Sequence, residues 1–247
     1  MKQYRDTIVF LLISVLLLGF FTVIGNGRPR SVDSVSQATP PASRQQEVQT
    51  DLGNLKGKKI LIAYFSRAGE NYQVGYIQKG NTHIVADMIA QETGGTLFEI
   101  RPAVPYPEGY QDTVRRAQQE KQEQARPKLA RDVPAWESYD VIFLGYPIWW
   151  SDAPMTVYTF LESHNFTGKI IIPFCTSAGD VLTGQENSFP QHAKGAVMAK
   201  GFGVEGKRAQ QQPETVSPQV RQWLKELGFP SALDSRTFDV FGGHSNT

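Results

Sequence analysis

Short apolar runs alternate with stretches of helical spacing through most of the chain. Lys59–Phe65 (KILIAYF) has the pattern of a strand buried on both faces, Thr96–Ile100 predicts a second short strand, Val141–Tyr146 (VIFLGY) a third, buried one, and Lys169–Phe174 (KIIIPF) a fourth. Ala196–Phe202 predicts a fifth strand. Between them, Thr82–Thr93 sets Ile84, Val85, Met88 and Ile89 at helical spacing and stops at Gly94-Gly95. Gln111–Ala125 is polar and rich in helix formers, so it predicts an exposed helix. Pro154–His164 carries Val157, Phe160 and Leu161 along one stripe. Ser217–Leu227 predicts a closing helix, with Ser217 as cap, Pro218 in the first turn and Gly228 behind it. Five apolar strands alternating with helices predict an α/β domain over residues 58–229, a parallel sheet with helices on both faces.

The N-terminus obeys a different pattern. Thr7–Gly25 runs 19 residues without a charge. As a helix it would span roughly 28 Å, close to the hydrocarbon thickness of a bilayer. Lys2 and Arg5 precede it, as in an export signal. Residues 1–25 therefore predict a hydrophobic helix, either an uncleaved signal-anchor or a cleaved signal. The length of the run and the lack of an A-x-A site favour the anchor. Arg28 and Arg30 balance the charges ahead of the run, so orientation rests on the signal-like layout. That layout places the globular part outside the cytoplasm, membrane-anchored, with secretion after cleavage as the alternative. Residues 26–57, with Pro29, Pro40 and Pro41 and few large apolar side chains, predict a flexible linker. Residues 230–247 predict a C-terminal tail.

Composition removes several classes of function. Lys plus Arg is 25 against 24 for Asp plus Glu, a net charge of +1 that gives nucleic acid no basic face to bind. The one cysteine, Cys175, excludes an internal disulfide and a multi-cysteine metal site, and reads as a small buried hydrophobe. Four histidines without metal-ligand spacing predict no metal. No catalytic acid or nucleophile stands out.

In open α/β sheets a ligand lies beyond the carboxyl ends of the strands, at the topological switch point. The loop after the first strand begins Ser66-Arg67-Ala68-Gly69 and ends Gly80-Asn81-Thr82 at a helix start. Ser66, Asn81 and Thr82 can form an anion cradle with the helix amides, while a plain helix cap explains Asn81 or Thr82 equally well. The third-strand loop carries Trp149-Trp150, either a flat surface for a planar ring or one core indole and one loop indole. Thr176-Ser177-Ala178-Gly179-Asp180, after the fourth strand, lets the backbone approach a ligand closely, and in isolation is an ordinary turn.

The ordered segments SRAG…GNT, GYPIWW and PFCTSAGD resemble the flavodoxin-like family, in particular its short bacterial domains, over residues 58–229. The resemblance implies a doubly wound five-stranded parallel sheet of order 2-1-3-4-5 that binds flavin mononucleotide (FMN) at the switch point. It puts Ser66, Arg67, Asn81 and Thr82 on the phosphate. Pro147, Ile148, Trp149 and Trp150 then flank the isoalloxazine, and Thr176, Ser177, Gly179 and Asp180 line its other edge. One departure is the insert Glu70–Lys79. Directed outward it spares the cradle; directed inward it puts the phosphate contacts of Ser66 in question while Asn81 and Thr82 keep their helix-terminal geometry, and Tyr72 and Tyr76 can instead cover the flavin or a substrate. The resemblance implies electron transfer or small-molecule redox chemistry, with a redox protein or a small-molecule acceptor as partner. Within residues 58–229 the two signs of charge balance at 18 each. Shuttling flavodoxins are acidic, so a neutral domain raises a second reading, an NAD(P)H- or quinone-linked flavin reductase. Arg67 and Arg208 read as solvated charges more than as ligands of a nicotinamide phosphate. A third reading is an exported binding module that has lost FMN.

Overall fold

A computed structural model of the chain describes residues 52, 55, 57–179, 182 and 184–230. The expected N-terminal helix, nearly all of the linker, Asp180 and residues 231–247 lie outside the described residues. In chain order the elements are β1 (Ile60–Tyr64), β2 (Gly69–Asn71), β3 (Gly75–Ile77), α1 (Asn81–Thr93), β4 (Thr96–Glu99) and α2 (Tyr110–Gln122). There follow β5 (Val141–Pro147), α3 (Met155–Ser163), β6 (Ile170–Ser177), α4 (Phe189–His192), β7 (Val197–Met198), β8 (Phe202–Glu205), α5 (Gly206–Gln211) and α6 (Pro213–Glu226).

The main sheet is parallel, in the order β4-β1-β5-β6 with β7 and β8 sharing the edge beside β6. Counting that edge as one strand, this is the doubly wound 2-1-3-4-5 order. Side-chain alternation feeds two cores, one on each face. Leu61, Ala63, Ile142, Leu144, Tyr146 and Cys175 join Val157, Phe160 and Leu161 of α3 on one face. Ile62, Tyr64, Phe143, Ile172 and Phe174 join Val85 and Ile89 of α1 and Val220 and Trp223 of α6 on the other. The chain leaves β1 toward β4 on one side and returns to β5 on the other. The switch point therefore lies between β1 and β5, and the loops after β1, β5 and β6 share one edge. No helix among the described residues is long and apolar enough to cross a membrane.

Two boundaries depart from expectation. The predicted fifth strand, 196–202, is two short strands separated at Ala199–Gly201. Val197 and Ala199 donate their amides to the Lys169 and Ile171 carbonyls, so odd-numbered residues of β6 face this edge. The next one is Pro173, which has no N–H to return, and the ladder breaks there. The closing helix starts at Pro213 rather than Ser217, which leaves Pro218 inside it. Pro213 fits the first helical turn as well as Pro218 does, and Val216 is fully buried, which favours the earlier start.

Cys175 is fully buried in β6. Burial, helped by the Glu186 charge, pushes its thiol up to about 12. The native protein is therefore expected to resist a thiol reagent at pH 8 and to take up one equivalent once unfolded. Native labelling within about tenfold of the unfolded rate would contradict this packing.

Candidate functional site

A cleft of about 340 Å³ opens at the carboxyl ends of β1, β5 and β6. Arg67, Asn81, Pro147, Ile148, Trp149, Trp150, Thr176 and Ser177 all line it. Ser66, Thr82 and Gly179 are not on its wall, and Asp180 is outside the described residues. The remaining lining includes Tyr72 and Ala178, from segments already singled out, and residues of α2 and the start of α5 that motif reading passed over. In full it is Asn71, Tyr72 and Gln73 at the tip of β2–β3, four residues of α2 and its start, Ala178, and Gly206-Lys207 at the start of α5.

Ser66 sits behind the cleft. Its Oγ accepts the His83 amide at 3.1 Å, so it ties the β1 loop to the first turn of α1. Thr82 is buried and shares a 2.8 Å hydroxyl–hydroxyl bond with Thr176, which joins α1 to the end of β6. Gly80 precedes the helix where no side chain fits: a Cβ there would lie 2.2 Å from Ser66 Oγ and 2.6 Å from the Arg67 carbonyl oxygen. Gly206 serves Asn81 in the same way, since a Cβ would come within 2.5 Å of the Asn81 amide nitrogen. The Asn81 Oδ1 is buried without a hydrogen-bond partner among the described residues. A buried acceptor of this kind costs stability until a donor reaches it, so it marks a position for a ligand N–H or O–H. His83 packs on the Tyr64 ring at 4.8 Å. Burial, then Lys79, hold its imidazole below the usual value, so it is mainly neutral at pH 7 beside the helix start.

The insert is an antiparallel hairpin, β2–β3, tied at its base to the start of α2 and lining the cleft with its tip, Asn71–Gln73. Glu70 donates its amide to the Glu108 carbonyl at 3.1 Å, and its carboxylate accepts the Tyr110 amide at 3.0 Å, which caps α2. Arg67 gathers the junction. Its Nε and Nη2 donate to the Pro107 carbonyl at 3.1 and 2.9 Å, Nη2 also to Glu108, and Nη1 to the carbonyl of Glu70. Arg67 thus lines the cleft with each of its guanidinium nitrogens already donating to a backbone carbonyl. Tyr72 lies over Tyr110, with ring centroids 6.1 Å apart, and both edge the cleft. Tyr76 is exposed and stands off it.

The two tryptophans divide. Trp149 meets Phe65 and Tyr106 edge-on at 5.3 and 5.2 Å, against the core. Trp150 is 46 % exposed. Trp149 and Asp152 exchange backbone hydrogen bonds of 2.8 and 3.0 Å around Trp150-Ser151, whose φ values are +53 and +58. That is a mirror-image turn built without glycine, a cost of about 1–2 kcal/mol at each residue. Neighbours hold it: the Trp150 indole N–H donates to the Val114 carbonyl at 3.2 Å, Lys121 to the Trp150 carbonyl, and Tyr158 to Asp152 Oδ1 at 2.7 Å. Stored strain beside a cleft is a mark of a functional loop.

The cleft thus has an indole and aliphatic wall at one end. The other end carries amides and hydroxyls, with the unsatisfied first-turn N–H groups of α1. An elongated ligand with a flat ring and a polar, anionic tail matches both.

Comparison with known proteins identifies the family. The family profile described as Flavodoxin matches residues 59–225. A candidate flavoprotein from Bacteroides eggerthii is 28 % identical, with 70 % of this chain and 99 % of that chain covered and a TM-score of 0.54. Another, from Bacteroides uniformis, is 31 % identical over 64 % of this chain and 99 % of that one, with a TM-score of 0.50. A flavoprotein from Lactobacillus acidophilus in complex with FMN is 22 % identical over 58 % of this chain and 91 % of that chain, with a TM-score of 0.46. No protein of curated function matches the sequence.

Proposed function

The chain belongs to the flavodoxin family, and from that premise we propose that its cleft binds FMN and that the protein works in electron transfer or small-molecule redox chemistry. The observation that carries this reading is the two-ended cleft at the switch point, with the Asn81 Oδ1 left without a donor. When bound, the flavin supplies the electron transfer, and the chain supplies binding and orientation. The open first-turn amides of α1 hold the phosphate, and Asn81 Oδ1, Thr176 and Ser177 meet the hydroxyls of the chain that joins it to the ring. Ile148, Trp149 and Trp150 flank the ring and keep water from it. Ser66 and Thr82 act from behind, by fixing α1 to the β1 loop and to β6.

The aromatic rim favours a small planar acceptor over a large docking partner. Tyr72 is 60 % exposed and presents a ring at the cleft edge beside Tyr110 and Trp150. The equal count of 18 charges of each sign in residues 58–229 gives a basic partner little to steer by. A membrane tether through residues 7–25, with the domain outside the cytoplasm, belongs to the same reading and is supported by the charge-free run alone. Retention of the chain in membranes after an alkaline wash would test it.

The deciding experiment is an absorption spectrum of the full chain, purified in mild detergent, after incubation with FMN and gel filtration. Retained flavin bands with shifted fine structure are expected. Asn81→Ala should weaken binding about tenfold, the loss of one or two buried hydrogen bonds. A folded protein that emerges colourless would end the redox reading and leave a binding module that has lost its flavin.

A further inference from the structure

The described residues that line the cleft include just two charged side chains, Arg67 and Lys207. A phosphate monoester at the polar end carries up to two negative charges, so the identity of the cation that meets it decides how strongly the site tells FMN from riboflavin. Arg67 is the residue that motif order selects, yet its planar fork is filled by the carbonyls of Glu70, Pro107 and Glu108. Turning the fork onto a phosphate would strip those three acceptors and free the hairpin, since these bonds leave over a single Nη1 N–H.

Lys207 stands in the opposite situation. It is exposed, lines the cleft, and makes no ion pair or hydrogen bond among the described residues. The register of the sheet puts it at the polar end. Ser177 pairs with Glu205, so the chain enters α5 directly beside the end of β6. Gly206 then packs its backbone against the Asn81 amide, and Lys207 is the next residue. Within α1 the His83 amide goes to Ser66 and the Ile84 amide to Gly80, which leaves the amides of Asn81 and Thr82 without a hydrogen bond among the described residues. An ammonium on a long flexible stem, next to open helix-start amides, suits a compact dianion better than it suits a neutral hydroxymethyl group.

Resting on the FMN reading above, we propose that Lys207, and not Arg67, is the cation that recognises the flavin's phosphate and sets the preference for FMN over riboflavin. The inference needs no movement of the clamped hairpin and uses the one lining cation that is unpaired among the described residues.

The test is a fluorescence titration of the full chain with FMN and with riboflavin, at low and high salt. Lys207→Gln is expected to weaken FMN about tenfold while riboflavin stays within about twofold, so the preference collapses. Lys207→Arg should recover most of it. The wild-type affinity for FMN should fall with added salt, and that dependence should shrink in Lys207→Gln. Because the side chain is exposed, the variant is expected to melt with the wild type. An unchanged FMN-to-riboflavin ratio in Lys207→Gln, with both flavins bound, overturns the role of Lys207 and leaves the flavin site standing. Binding of neither flavin by the wild type overturns the site and this inference with it.

Discussion

Gly80→Ala is expected to lower stability by about 2–4 kcal/mol and flavin affinity by about a hundredfold or more. The backbone at Gly80 is extended, at φ −66 and ψ 153, so any residue can adopt it and the glycine is there for space alone. A Cβ would lie 2.2 Å from Ser66 Oγ, 2.6 Å from the Arg67 carbonyl oxygen and 2.8 Å from the Arg67 nitrogen. The serine could swing aside, but only by releasing the His83 amide. The Arg67 backbone cannot move without dragging the loop that follows β1 and the hairpin beyond it. The substitution therefore separates the β1 loop from α1, and the polar end of the cleft is built on that join. Thermal melting with an FMN titration reads both effects. Gly179→Ala, in the loop after β6 and off the cleft wall, is the contrast, since its Cβ would meet nothing within 4 Å and the melt should not move. A Gly80→Ala protein that melts with the wild type and binds FMN within twofold would show that the loop yields easily.

Most of the sheet was legible because its strands are buried on both faces and therefore read as unbroken apolar runs. Ile60–Tyr64 pairs residue by residue with Val141–Gly145, and nothing polar interrupts either run. The edge was harder, because its division is caused by Pro173 on the neighbouring strand and not by anything in residues 196–202. The hairpin at 69–77 also escaped the pattern. Its strands are three residues long, and Ile77 is their one buried large apolar side chain, too little for a period-two signal. What orders the hairpin is Arg67 and Glu70 reaching residues about 40 positions away, which periodicity cannot register.

The site was legible to a different depth at each end. Trp149, Trp150 and Thr176 follow strands, so placing the strands placed them. Lys207 was missed because the fifth strand was expected to end at 202, and nothing in GVEGKRAQ announces a short helix returning to the cleft. Arg67 was found as a residue of the cleft, but its contacts with the carbonyls of Glu70, Pro107 and Glu108 were not. One sequence cannot distinguish a guanidinium that meets a phosphate from one that meets three carbonyls, because both need the same side chain beside a glycine-rich loop.

That distinction sets the last and second largest effect. Arg67→Lys is expected to destabilise the domain by about 2–4 kcal/mol, nearly as much as Arg67→Gln. A lysine keeps the charge, but its tetrahedral donors cannot serve the carbonyls of Glu70, Pro107 and Glu108 together from one plane. Burial holds the guanidinium below its usual value, against Glu70 and Glu108, yet it stays fully charged at any working pH, so the loss should be flat across the neutral range. For a domain of this size the melting temperature should fall by roughly 5–12 °C. Hydrogen exchange should localise the damage, with amides of β2, β3 and the first turn of α2 losing protection while β5 and β6 keep theirs. A phosphate ligand would behave in the opposite way: Arg67→Lys would melt with the wild type and keep most of its affinity for FMN. Lysine restoring the melt to within about 1 °C would dissolve the clamp and return Arg67 to the cleft as the anion's partner, at the expense of Lys207.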